Sequence, residues 1–168
     1  MKTISILLIA VLLVLSACNT TTKQSLSPTE KVELAAEVSA TVNNMIDGMK
    51  KIDIEQAFES KFLLNDDFKY IDIYGKVLTM DEFLKEARGV FDNAEKVDFN
   101  FSSPDVRILS QDLAVVTLVY SGKFYFPGST LAFPECGSTL ILNKIDNVWK
   151  VIHFHESLQA SEFVMTEV

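Results

Sequence analysis

An α+β fold is what this 168-residue sequence predicts, and three observations carry the prediction. Apolar residues recur at helical spacing through much of the first half of the chain. From residue 96 onward the pattern changes to runs of period two, rich in Val, Ile, Phe and Tyr. Turn residues such as Pro104, "SQD", "PGS" and "DN" separate those runs. Helices gathered before a series of antiparallel strands indicate a sheet with helices packed on one face.

Each element can be justified in order. "SPTEKVELAAEVSATVNNMIDGMKKID" opens with a capping box, in which Ser27 is the N-cap, Pro28 the first helical residue and Glu30 the third. Positions 35, 38, 42, 45, 46 and 49 are apolar, which predicts one long amphipathic helix ending near Lys50 and Lys51. "DIEQAFESKF" predicts a second, short helix. "DFKYIDIYG" alternates and ends at Gly75, so it predicts a strand. "TMDEFLKEARGVFDNA" predicts a third helix, with Thr79 and Glu82 as its capping pair. Strands are then expected in "KVDFNFSS", "DVRILS", "DLAVVTLVYSGKFYFP", "STLILNKID" and "VWKVIHFHES". The turn-rich segment "PGSTLAFPECG" is expected to loop out between two of them. A long strand containing Gly122 can bend around the helices, which would curl the sheet into a cone with a pocket inside.

The N-terminus carries a different signal. Lys2 is followed by an apolar run from Ile4 to Leu15 and the small residues Ser16 and Ala17, the pattern of a secretory signal peptide over residues 1–17. The run is shorter than the ~20 residues a membrane-spanning helix needs. Leu15-Ser16-Ala17-Cys18 resembles the lipobox of bacterial lipoproteins. That resemblance implies a diacylglycerol on the Cys18 thiol, cleavage before it, and an acyl chain such as palmitate on the new amine. Several chains on one residue anchor stably where one does not. Asn19 in place of Asp implies outer-membrane sorting, on the periplasmic side, in a host with two membranes. Residues 18–27 then read as the lipidated Cys and a polar Ser/Thr-rich tether. Residues 28–168 read as one domain.

Composition narrows the partners. The chain has 23 acidic against 15 basic residues, and loss of residues 1–17 would remove one of the basic ones. An acidic body argues against nucleic acid as a partner. Twelve Phe residues imply a well-filled core or a cavity lined with rings. With Cys18 lipidated, Cys136 has no intramolecular partner. Glu135 beside it would disfavour the thiolate, so a buried, inert thiol is expected.

From residue 28 to 158 the chain resembles the NTF2-like superfamily, nearest its SnoaL-like members. The resemblance rests on the order of elements, on "DLAVVTLVYSGKF" as a long mid-sheet strand and on "NVWKVIHFHES" as the last strand. It implies an NTF2-like cone: a strongly curved antiparallel sheet wrapped on about three N-terminal helices, with a conical cavity. It also implies frequent dimerisation through the exposed sheet face, so a homodimer is expected. The family's functions range from isomerases, dehydratases and cyclases to pure binding modules, and the fold does not choose among them.

The last strand holds both His residues of the chain and its single Trp. Strict alternation puts Trp149, Val151, His153, His155 and Ser157 on one face. If that face lines the cavity, His153 or His155 can serve as a general base or fix a polar group of a ligand. The same pair could hold a metal ion with help from Asp72, Glu135 or Cys136, but a complete ligand set is not evident. It could also be purely structural. On "FKYIDIYG", Phe68, Tyr70, Asp72 and Tyr74 alternate on one face, offering Tyr70 and Tyr74 as pocket wall and Asp72 as a further base candidate. The run Phe124, Tyr125 and Phe126 adds pocket or interface candidates. The expectation is therefore a membrane-anchored cell-envelope lipoprotein, attached to membrane lipid through acylated Cys18. Its pocket domain would bind a small apolar ligand or a partner protein and need no cofactor. The alternative is a small isomerase, dehydratase or cyclase with a pocket histidine as base.

Overall fold

The computed structural model describes residues 25–158. The expected signal peptide and Cys18 lie outside the described residues, as does most of the tether. Helix α1, Pro28–Lys51, begins at Ser27, whose Oγ accepts from the Glu30 N–H at 3.3 Å while the Glu30 carboxylate accepts from the Ser27 N–H at 2.7 Å. The capping box therefore forms as the local sequence predicts. Ile52 ends the helix in the left-handed region (φ 58°), and the chain turns into a single π-helical turn, Glu55–Glu59. Helix α2, Met80–Phe91, is capped in the same reciprocal way by Thr79 and Glu82.

The strands are β1 Lys69–Ile71, β2 Val77–Leu78, β3 Lys96–Phe101, β4 Asp105–Ile108, β5 Leu113–Phe126, β6 Ser129–Ile145 and β7 Val148–Leu158. They form one curled, unclosed sheet in the order β2-β1-β7-β6-β5-β3, with β4 also paired to β5. Every pair is antiparallel except β1 with β7. The helices lie against the concave face. Trp149 helps hold α1 there: its Nε1–H donates to Glu37 at 3.0 Å, and Lys144 donates to the same carboxylate at 2.6 Å. Those two donors, Lys144 first, hold the Glu37 carboxyl below its ordinary range.

Two expectations are corrected here. "PGSTLAFPECG" does not loop out. Only Pro127 and Gly128 (φ 75°) turn, and residues 129–136 continue β6 in register with β5 from Phe126 back to Tyr120. The segment is rich in turn residues, and one of them, Pro134, has no N–H to give a ladder. It sits at a β-bulge, where Pro134 and Glu135 together oppose Ser121 alone, so no ladder bond is lost. Likewise β1 stops at Ile71 and does not run to Tyr74. Asp72 Oδ1 accepts from the N–H groups of Tyr74 and Lys76, both at 2.8 Å, and closes a turn that needs Gly75 at φ 81°.

At Gly122 the structure shows a close approach of β3 to β5. A Cβ there would lie 2.4 Å from the Asp98 carbonyl oxygen and 2.6 Å from the Phe99 ring. The missing side chain lets Phe99 of β3 lie flat across the strand and face the concave side.

Candidate functional site

Between the helices and the concave sheet lies a cavity of about 240 Å³, slightly below the ~300–1,000 Å³ of most small-molecule sites. Its wall is built by residues at helical and strand spacing. α1 contributes Val42, Met45, Ile46 and Met49, and α2 contributes Phe83, Ala87 and Val90. Ten aromatic rings of the described residues line it. The polar side chains are few: Tyr70, Tyr120, Ser138 and Glu156 from the sheet, and the exposed Glu86 from α2.

Three of these converge. Glu156 Oε1 accepts from the Tyr120 hydroxyl at 2.6 Å, and Oε2 accepts from the Tyr70 hydroxyl. Three different strands bring the group together. Tyr70 of β1 pairs with Phe154 of β7, Glu156 of β7 pairs with Ser138 of β6, and Tyr120 of β5 pairs with Cys136 of β6. The tyrosine rings are fixed by their neighbours. Tyr70 stacks on Phe154 at 5.0 Å between centroids and meets the edge of Phe83 at 4.8 Å, while Tyr120 stacks on Phe101 at 5.7 Å.

Desolvation pushes the Glu156 carboxyl above its ordinary range, since the cavity wall offers little to replace water around the charge. The two tyrosine hydrogen bonds work in the opposite direction without cancelling it. Both phenols are raised in turn, first by burial and then by the Glu156 charge. A carboxyl raised on folding binds protons more tightly in the folded than in the unfolded chain. The stability it contributes is full below the ordinary value of 4.5 and is lost as pH rises through the folded value. We therefore expect Glu156→Gln, which cannot ionise, to gain stability relative to the native protein from about pH 4.5 upward. Asp72, which disfavours the charge, and His155, which offsets it, are the other charged groups acting on this carboxyl. Denaturant midpoints across a pH series test the point; a difference between the two proteins that stays flat with pH would refute it.

The sequence-derived candidates are distributed differently from the expectation. Tyr70 lines the cavity, but Tyr74 is 83% exposed on the turn after β1. Asp72 is occupied in closing that turn. Trp149 is buried against α1 and does not line the cavity. Neither His153 nor His155 lines it either. The reason is a bulge in β7: Val151 pairs with Leu142 and His153 with Ile141, which leaves Ile152 unpaired. One extra residue reverses the facing of everything beyond it. Trp149 and Val151 point to the core, then Phe154 and Glu156 do, and His153, His155 and Ser157 turn to the convex face. The bulge falls where β7 changes its outer partner. Val151 exchanges hydrogen bonds with Lys61 and Leu63, whereas from His153 onward the partner is β1. Burial, followed by the charge of His155, lowers the His153 imidazole below its usual range.

Glu156 is the functional candidate that alternation from Trp149 misses. Phe154 was the available signal, because a large ring between two histidines marks the core face and puts Glu156 beside it. Of the other candidates, Phe124 lines the cavity, whereas Tyr125 lies under Lys96, 5.3 Å from its ring centroid. Cys136 is fully buried. Its thiol donates to the Pro134 carbonyl at 3.1 Å and is pushed up by burial first, with Glu135 exposed and uninvolved. Among the described residues no three His, Cys, Asp or Glu side chains converge as a metal site.

A curled antiparallel sheet closed by helices over a ring-lined cavity defines an α+β pocket domain of the NTF2-like kind. Residues 38–161 match the SnoaL-like domain family, and the chain belongs to it. No curated protein matches the chain in sequence. Solved structures share the fold. An NTF2-like family protein of Streptomyces avermitilis aligns with a TM-score of 0.66 at 17% identity, covering 78% of this chain and 99% of its own. An NTF2-like superfamily protein of Salmonella enterica gives 0.64 at 15% identity, covering 82% and 99%. The association domain of Caenorhabditis elegans CaMKII gives 0.58 at 19% identity, covering 76% and 97%.

Proposed function

We propose that this protein is a lipid-anchored component of the cell envelope whose SnoaL-like body holds a small, mostly apolar ligand. The single observation that carries the ligand reading is the cavity itself, with aromatic walls and one polar pole at Glu156, Tyr70 and Tyr120. Apolar walls supply affinity by area, and a lone polar cluster fixes orientation. The anchor reading rests on the signal-like residues 1–17 and on Cys18. In a host with two membranes it puts the protein on the periplasmic side of the outer membrane. A homodimer through the convex sheet face accompanies this reading.

Native mass spectrometry of the full chain, released from detergent, tests the ligand. A small adduct should appear that vanishes on denaturation, and Ala87→Phe, which fills the cavity from α2, should lack it. A native protein without adduct, matching Ala87→Phe in mass and in affinity for apolar probes, would end the proposal. Cys18→Ala should move the protein from the membrane to the soluble fraction.

A second reading has its own observation. A carboxyl raised by burial and touching two hydroxyls can give or take a proton, as an isomerase or dehydratase requires. In that reading the base is Glu156, since both histidines face away from the cavity.

A further inference from the structure

The charge of the ligand can be inferred as well, on the basis of the pocket reading above. Both tyrosine hydroxyls that face Glu156 already donate to it. In its ionised form the pole therefore offers only acceptor lone pairs to a ligand, roughly two of the four that a carboxylate carries. Among the described residues no Lys, Arg or His lines the cavity to neutralise that charge. Among the described residues the second carboxyl of the lining is Glu86, at the helical side, paired at 3.1 Å with the exposed Lys76. The rest of the wall is dominated by aromatic rings, whose faces are electron-rich. Phe101 already attracts a cation from outside the lining, with the Lys50 ammonium 5.8 Å from its centroid. An anionic ligand would meet two carboxylates and, among the described residues, no cation in the lining itself. A neutral one would gain no ion pair from Glu156.

We propose that the cavity selects a small organic cation, an amine carried on an aromatic or alicyclic body, with its nitrogen at Glu156 and its body among the rings. The protein has already buried the Glu156 carboxyl on folding, so binding adds the desolvation of the amine and, where burial keeps the carboxyl protonated, the cost of ionising it. The ion pair and the ring faces offset that desolvation. The same ion pair would restore the ionised form of Glu156 that burial alone disfavours.

Three probes of nearly equal size separate the possibilities: phenethylamine, phenethyl alcohol and phenylacetate. Titration calorimetry on the full chain in detergent at neutral pH should find the amine at least about tenfold tighter than the alcohol. Phenylacetate should be weakest. Glu156→Gln should weaken the amine far more than the alcohol and so remove the tenfold preference between them. An alcohol that binds as well as the amine would overturn the cation inference while leaving the pocket reading intact. Absence of binding by all three, with Ala87→Phe indistinguishable from the native protein, would overturn both. The three-probe comparison on the unaltered chain decides the question even if Glu156→Gln fails to fold.

Discussion

Phe62→Ala should destabilise the domain by about 3–5 kcal/mol, the range for truncating a large buried ring. Phe62 is 1% exposed and sits within the aromatic cluster, with four ring neighbours. Its ring lies 5.5 Å from Phe58, 5.3 Å from Phe68, 5.5 Å from Phe83 and 6.0 Å from Phe154, centroid to centroid. These neighbours come from the π-turn, the segment before β1, α2 and β7, so one truncation loosens four parts of the fold. Collapse around the void is hindered because the backbone on either side is tied to β7. Leu63 donates to the Val151 carbonyl and Val151 donates to that of Lys61, both at 2.9 Å. The upper part of the range is therefore expected. Phe101→Ala is the comparison: that ring is only partly buried and borders open cavity, so its loss should be markedly cheaper. Denaturant unfolding of the two variants measures both. Equal losses would mean that the Phe62 cluster is not the centre of the core.

Gly48→Ala should be the second costly change, and its sign is opposite to what helix propensity suggests. Alanine in a helix interior ordinarily gains about 1 kcal/mol over glycine. At Gly48 the new Cβ would lie 2.4 Å from the Ala57 nitrogen, 2.7 Å from the Gln56 carbonyl carbon and 2.8 Å from the Ala57 Cα. All three are backbone atoms and cannot rotate aside. α1 and the π-turn would have to separate, which also shifts Phe58 and the cavity wall it forms. Overpacking of this kind typically costs about 1–3 kcal/mol and occasionally more, so a net loss of about 2 kcal/mol is expected. Gly89→Ala provides the control. It lies within α2, nothing stands within 4 Å of its prospective Cβ, and the substitution should stabilise by about 0.5–1 kcal/mol. If both alanines stabilise, the close approach at Gly48 is wrong.

The contrast between these two glycines marks how far the sequence could be read. Both lie in helical pattern, and nothing local distinguishes them. What a few neighbouring residues decide was legible. Ser27 with Glu30 and Thr79 with Glu82 announce two helix starts, and both capping boxes form. The period of apolar residues fixed which half of the chain is helical and which is sheet, because burying one face requires that repeat. The order of elements carried the resemblance to the NTF2-like superfamily, and the SnoaL-like match upholds it.

The tertiary structure alone decided the site. Whether β7 keeps strict alternation depends on its partners. Exchange with Lys61 and Leu63 up to Val151, then with β1 from His153, puts one unpaired residue between. That single residue turns His153 and His155 outward and Glu156 inward. Long-range pairing also made "PGSTLAFPECG" mostly strand, because β5 offers a partner for every residue except at the bulge that accommodates Pro134. Helix starts, helix faces and the presence of strands follow from interactions among neighbours in sequence, so the sequence by itself determined them. The convergence of Tyr70, Tyr120 and Glu156 joins residues up to 86 positions apart. It follows from strand register, which is set only when the strands meet.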